Sequence, residues 1–200
     1  MNTHKFGEIM WFFLDILVFH KIQIEDLLIF LKYYTLFIPC IFCRVFLKNF
    51  LSLYALNIPL GKKINQETLI KEYVWFVHHV VNVKIQNTDN AITLDQYKQK
   101  LNWYNPNEYE TKYKNKNIVR FIRVCCDPFY NIDDCAKALD FMSGVTLDFI
   151  DFIFYTIEKY KIQEFRTHHL FLSNVKVYIE QGDYQELTQY IDENITSPDF

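Results

Sequence analysis

The sequence has little glycine and little proline, with four Gly and five Pro among its 200 residues. A protein of many strands needs more of both in its turns, so this scarcity favours helices. An excess of charge is also absent, because the net charge of −3 gives no electrostatic reason to expect nucleic acid as a partner. Long apolar runs are missing too. The run over residues 9–19 is interrupted by Asp15, and neither a transmembrane helix nor a secretory signal is predicted.

Apolar and aromatic residues are abundant, at 50% and 18% of the chain, and can supply a substantial core. Apolar periodicity, proline positions and capping residues predict an all-α fold. The predicted helices of the first half cover 6–20, 24–37, a third that starts at Pro39, a fourth from the cap Asn65 to about Ile85, and a short fifth that opens with Thr93-x-x-Gln96.

The polar segment 105–117 has the composition of a linker. It predicts a first domain over residues 1–108 and a helical C-terminal extension over 109–200, whose role the sequence does not indicate. Gly144 and Gly182 are placed where helix ends are expected in that extension.

Five cysteines, an odd number, argue against a disulfide scaffold in a chain expected to be cytoplasmic. Cys40 and Cys43 follow Pro39 as a CxxC motif. Cys40 is expected in the first turn of the third helix, where the helix dipole favours thiolate, and Cys43 lies one turn later on the inward face. By itself, the motif is open to three interpretations: a redox couple, a zinc half-site or a pair of core thiols.

Zinc has weaker support from the pattern than redox chemistry. A second CxxC is absent, and the three later cysteines, Cys125, Cys126 and Cys135, follow no standard ligand spacing. His78 and His79 are adjacent, so on a helix they point about 100° apart and are poorly placed to bind one ion. We therefore predict no metal ligands.

Three stretches together resemble the Erv/ALR family of FAD-linked sulfhydryl oxidases over residues 4–104. The family pattern has Gly-x-x-x-Trp-x-x-Leu-His in its first helix, Pro-Cys-x-x-Cys at the start of the third and His-Asn-x-Val-Asn on the fourth. The counterparts here are Gly7, Trp11 and Leu14, then Pro39 with Cys40 and Cys43, then His78, Val81 and Asn82. Asp15 and His79 stand where the family has His and Asn. The lack of further structural cysteines is most similar to the compact oxidases of large DNA viruses.

The resemblance implies a four-helix bundle plus a short fifth helix that binds FAD beside the CxxC motif. It implies that Cys40 exchanges with a protein thiol substrate, and that Cys43 forms the charge-transfer thiolate nearer the flavin. Dioxygen would be the electron acceptor and hydrogen peroxide the product. Cofactor contacts are implied for the first, fourth and fifth helices, at Lys5, Gly7, Trp11, Asp15, His78, Asn82, Lys84 and Trp103.

The resemblance also implies a homodimer, formed through the outer faces of the first helices, and a cytoplasmic or virion-associated location in an infected host cell. Family members often carry a second, shuttle pair of cysteines, for which Cys125, Cys126 and Cys135 are the candidates. Two functions of other classes remain open at this point. One is a non-enzymatic helical scaffold, and the other is a zinc-stabilised helical adaptor.

Overall fold

A computed structural model describes residues 3–38, 40–54, 56, 65–84, 92–102, 116–130, 139–166 and 168–196. For residues 3–10, 116–118 and 196 it describes the backbone alone. All regular structure in these ranges is helical, which confirms the predicted all-α class. The chain divides into two compact units, one over residues 10–104 and the other over 105–200 together with residues 1–9. The predicted domain boundary at residue 108 stays a prediction.

Five helices contribute to the unit 10–104: α1 (Thr3–Phe19), α2 (Ile24–Phe37), α3 (Ile41–Leu53), α4 (Gln66–Lys84) and α5 (Leu94–Asn102). The bounds of α2 agree with the prediction. The third helix begins two residues later than predicted, because Cys40 has extended backbone and serves as its N-cap. Pro39 lies outside the described residues.

Local capping fixes the start of α4 and of α5. The side-chain oxygen of Asn65 accepts hydrogen bonds from the backbone N–H groups of Glu67 and Thr68, at 3.0 and 3.4 Å. Thr93 and Gln96 form the predicted capping box, in which each side chain accepts from the backbone N–H of the other residue. These reciprocal bonds satisfy amide groups that the first turn of a helix leaves without partners.

The helices α1, α2, α3 and α4 form a cycle in which each helix packs on the next and α4 packs on α1, largely through aromatic side chains. Phe13 of α1 stacks on Phe30 of α2, while Trp11 of α1 stacks on His78 of α4. The ring of Phe50 on α3 lies 5.4 Å from that of Phe76 on α4, and α2 packs against α3. The helix α5 packs on α4, where the indole N–H of Trp75 donates to the carbonyl of Ile92 at 2.8 Å. The core side chains in the middle of this cycle are almost entirely aliphatic and aromatic.

The second unit contains α6 (Lys116–Cys125), a 3₁₀ turn (Asp127–Tyr130), α7 (Leu139–Tyr160), α8 (Gln163–Arg166), α9 (His169–Gln181) and α10 (Tyr184–Thr196). Gly182 ends α9 in the left-handed region with φ 75°, as predicted. The predicted helix end at Gly144 is wrong, because Gly144 lies inside α7. The buried face of α7, with Phe149, Ile150 and Ile153, outweighs a glycine cost of about 1 kcal/mol.

In the described ranges, no helix is both long enough and apolar enough to cross a membrane.

Candidate functional site

Cys40 and Cys43 form the start of α3. Cys40 is the N-cap, and its Sγ accepts a hydrogen bond from the backbone N–H of Cys43 at 3.3 Å. Both thiols are free and half-buried. The sulfur of Cys40 therefore takes the place that a Ser or Asp oxygen has at an ordinary N-cap, where a negative charge is stabilised by the end of the helix.

The two thiols differ in acidity. Hydrogen bonds from the Cys43 thiol and from the Cys43 backbone N–H lower the pKa of Cys40. The pKa of Cys43 is raised to about 11, first by burial, then by its hydrogen bond to Cys40 and the charge on that sulfur. When the reduced pair ionises, the thiolate therefore forms on Cys40 first, while Cys43 remains a thiol that donates to it.

Arg44 holds the connection between α2 and α3 in place. Its Nε and Nη2 donate to the carbonyl oxygen of Ile38, at 3.0 and 2.8 Å, and its backbone N–H donates to the carbonyl of Cys40 at 2.9 Å. Charge-assisted bonds of this kind are stronger than neutral ones. They hold the backbone that carries Cys40 against the first turn of α3.

An aromatic cluster lies on the α1, α2 and α4 side of this pair. The rings of Trp11 and His78 are stacked with centroids 4.0 Å apart and planes at 23°. The ring of Tyr34 lies 6.3 Å from Trp11. Burial raises the pKa of Tyr34, and the charge on Cys43 raises it further. Tyr34 therefore links Cys43 to the ring pair.

His78 is neutral in this environment. Burial, followed by the positive charges of Lys100 and His79, lowers its pKa from 6.5 to about 4. Trp11 and His78 are both half-buried, so the ring pair presents a flat aromatic surface that is uncharged at neutral pH.

Asn82 and Lys84 follow His78 on α4. Asn82, one turn after His78, is buried. Lys84 is exposed, and its ammonium lies 4.4 Å from the ring centroid of Phe46 on α3. Since Phe46 is three residues after Cys43, this contact places the positive charge on the helix face that bears the CxxC motif.

Asp15 is bonded to α5. Its two oxygens accept from the Tyr97 hydroxyl at 3.0 Å and from the Lys100 ammonium at 2.5 Å. Burial raises the pKa of Asp15, and the charge and hydrogen bond of Lys100 oppose that shift. Both oxygens are thus engaged within the protein. This geometry favours a structural link between α1 and α5 instead of the cofactor contact predicted for Asp15.

The surface around the cysteines is apolar. Phe42, between the two cysteines, is 80% exposed, while Ile41 and Val45 are 61% and 51% exposed. Single exposed apolar residues are common, but three on one turn beside a thiolate form a distinct surface. The first turns of α3 therefore present an exposed apolar surface next to the two cysteines.

The distal cysteines are core residues. Cys125 ends α6 and Cys126 follows it, and both side chains are 0% exposed. Burial raises the pKa of each thiol, so neither is suited, as folded, to exchange with an incoming thiolate. This geometry favours core packing over the predicted shuttle role. Cys135 lies outside the described residues, and so does Trp103. Lys5 and Gly7 lie in α1, where only the backbone is described.

Three contributors to the site were missed from the sequence: Tyr34, Tyr97 and Lys100. Tyr34 was difficult to single out because Tyr33 adjoins it. Tyr97 and Lys100 are three residues apart on one face of α5, which is a detectable signal, but only the fold shows that this face meets Asp15.

Within the described ranges, no group of three or more His, Cys, Asp or Glu side chains is arranged to hold a metal ion. No protein-family model matches this chain, and comparison with curated proteins and with solved structures also gives no match. Functional inference therefore depends on the geometry of the site and on the resemblance in the sequence.

Proposed function

We propose that the chain is an FAD-dependent sulfhydryl oxidase that forms disulfides in protein substrates. The observation that carries this proposal is the asymmetric Cys40–Cys43 pair beside the cluster of Tyr34, Trp11 and His78. A thiolate at a helix N-cap with a thiol partner one turn later is the arrangement that thiol–disulfide exchange needs. The aromatic surface next to it would hold the flavin that accepts the electrons.

The exchange steps follow from the two sulfurs. With the pair oxidised, a substrate thiolate attacks Sγ of Cys40, the Cys40–Cys43 bond breaks, and its electron pair goes to the sulfur of Cys43. A second substrate thiolate then attacks the substrate sulfur of the mixed disulfide, which releases a substrate disulfide and the thiolate of Cys40. The pair has gained two electrons, and Cys43 takes up the proton that the second substrate thiol gives up when it becomes the attacking thiolate. The apolar surface of Ile41, Phe42 and Val45 supports a polypeptide as the substrate.

The residues present fit FAD. The half-buried Trp11–His78 pair offers a flat surface to a planar ring, and the neutral His78 adds no charge to it. The exposed ammonium group of Lys84 suits a diphosphate. Among the described residues, Nδ1 of His79 is a buried polar atom that lacks a hydrogen-bond partner. When bound, FAD would accept the two electrons and pass them to dioxygen, with hydrogen peroxide as the product.

The order of elements supports the family assignment, which stays part of the proposal. A set of four helices followed by a short fifth helix supports the bundle that the Erv/ALR resemblance implies. We extend the proposal to a homodimer, supported by the exposed Leu28 and Ile29 on α2, and to a cytoplasmic or virion-associated location in an infected cell.

The absorption spectrum of the purified chain tests the proposal. We expect a yellow protein with a flavin band at about 450 nm that consumes dioxygen when a dithiol is added. A colourless protein that consumes no dioxygen after incubation with free FAD would contradict the proposed function.

The variant Cys43→Ser separates cofactor binding from turnover. It keeps a hydrogen-bond donor beside Cys40 but cannot form the disulfide, so we expect the band at about 450 nm to persist and dioxygen consumption to stop. The matched control is Cys126→Ser, which removes a thiol that we place outside the reaction. Full activity in the Cys43 variant would show that the assigned mechanism is wrong.

A further inference from the structure

Lys84 lies where its charge acts on both sulfurs of the CxxC motif. It is the last residue of α4, and its ammonium is 4.4 Å from the centroid of Phe46. Phe46 and Cys43 are three residues apart on α3 and therefore share a face, which brings the cation within about one helical turn of Cys43 and about two turns of Cys40. The positive charge of Lys84 lowers the pKa of Cys40 and that of Cys43.

The other groups that face the cysteines do not supply this charge. Tyr34, from α2, is a buried neutral phenol whose pKa is raised by its surroundings. The guanidinium of Arg44, on α3, is directed at the carbonyl oxygen of Ile38. His78 is neutral above about pH 4. Among the side chains that the structure describes, the cation that bears on both sulfurs is therefore the Lys84 ammonium.

We propose that Lys84, held over the Phe46 ring, is the electrostatic partner of the CxxC motif and stabilises a thiolate on either sulfur. The negative charge resides on Cys40 in the reduced pair and moves to Cys43 when Cys40 is in a mixed disulfide. A cation close to both sulfurs serves both states, whereas the helix N-terminus serves mainly Cys40. This alternation depends on the proposed oxidase function, but the contact between Lys84 and the thiols does not.

The test is the rate at which iodoacetamide alkylates Cys40 in the reduced, full-length chain, followed by mass spectrometry of the Cys40 peptide between pH 5 and 10. For Lys84→Gln we expect the rate at pH 7 to fall about two- to fivefold, the range of an exposed charge interaction, and the pH profile to move upward. Lys84→Arg should restore the wild-type profile.

The matched control is Lys48→Gln, which removes the same charge from the exposed side of α3 and should leave the profile unchanged. An arm without any variant uses the wild-type chain in 1 M NaCl, where screening at about 3 Å should slow alkylation of Cys40 but not of a free cysteine peptide. The proposal is overturned if Lys84→Gln matches the wild type, if Lys48→Gln slows the reaction equally, or if salt has no effect.

The failure of this proposal differs from a failure of the proposed function. Alkylation reports thiol ionisation whether or not a flavin is bound. A yellow, active protein with an unchanged Lys84→Gln profile would refute the role of Lys84 alone. A colourless protein with the expected profile would refute the oxidase and leave the electrostatic contact in place.

Discussion

Acidification from pH 7 to pH 4.5 tests how His78 is held against Trp11. The pKa of His78 is 6.5 in the unfolded chain and about 4 in the folded protein, mainly because of burial. Between these two values the unfolded state binds a proton that the folded state does not. The free energy of unfolding therefore falls as the pH falls through this window, since protons favour the state that binds more of them.

The size of the effect follows from the two pKa values. At pH 4.5 nearly every unfolded chain is protonated at His78 but only a minority of folded chains are, which corresponds to a loss of about 2 kcal/mol relative to pH 7. Attraction between an imidazolium and the face of Trp11 opposes the loss by about 0.5–1 kcal/mol at exposed sites. This attraction is smaller than the loss, so the free energy of unfolding still falls as the pH falls.

Urea unfolding followed by tryptophan fluorescence measures this loss in the relevant unit, because all three tryptophans lie between residues 10 and 104. We expect His78→Gln to lose about 1–2 kcal/mol less than the wild type between pH 7 and pH 4.5, since it has no imidazole to protonate. His169→Gln, which removes an exposed imidazole from the other unit, should behave as the wild type does. The reasoning is refuted if the His78 variant and the wild type lose stability equally.

Two further predictions concern buried groups. Lys100→Met should destabilise the protein by about 1–2 kcal/mol at pH 7 and by less at pH 4, because it leaves the buried carboxylate of Asp15 without its cation, whereas protonated Asp15 needs none. Urea unfolding at both pH values measures the effect, with Lys98→Met as the surface control, and equal losses for Lys100→Met at pH 7 and pH 4 would contradict the prediction. Iodoacetamide at pH 7 should alkylate Cys40 at least about 100-fold faster than Cys125 or Cys126, which should react only after unfolding in urea; peptide mass spectrometry that finds them labelled in the native protein would contradict their burial.

The elements that could be predicted from the sequence are those that short-range interactions determine. The capping box of Thr93 and Gln96 forms within four residues, and so does the cap at Asn65. The bounds of α2 follow from its apolar periodicity. Gly144 is the instructive failure. A glycine was interpreted as a helix end from its own preference, but the buried face of a 22-residue helix decided the outcome.

The parts of the site that could not be predicted are pairings between distant segments. Asp15 was assigned a cofactor contact by position in a motif, yet its partners, Tyr97 and Lys100, are 82 and 85 residues away. No periodicity on α1 or α5 specifies which polar face meets which. By contrast, the Trp11–His78 contact could be anticipated only because a family pattern placed both residues in one site.

The charges around the cysteines explain why the site suits a reaction that moves one negative charge over a short distance. At neutral pH the ring pair and Tyr34 are uncharged, and Lys84 lies beside a pair of thiols in which ionisation is favoured on Cys40 over Cys43. If His78 became cationic, it would add a second positive charge beside the proposed flavin surface. It would also compete with Lys84 for the thiolate. The depressed pKa of His78 therefore has a functional consequence: His78 adds no charge beside Cys40 and Cys43 at pH values above about 4, so the pH profile of thiol exchange should follow the cysteines and not the histidine.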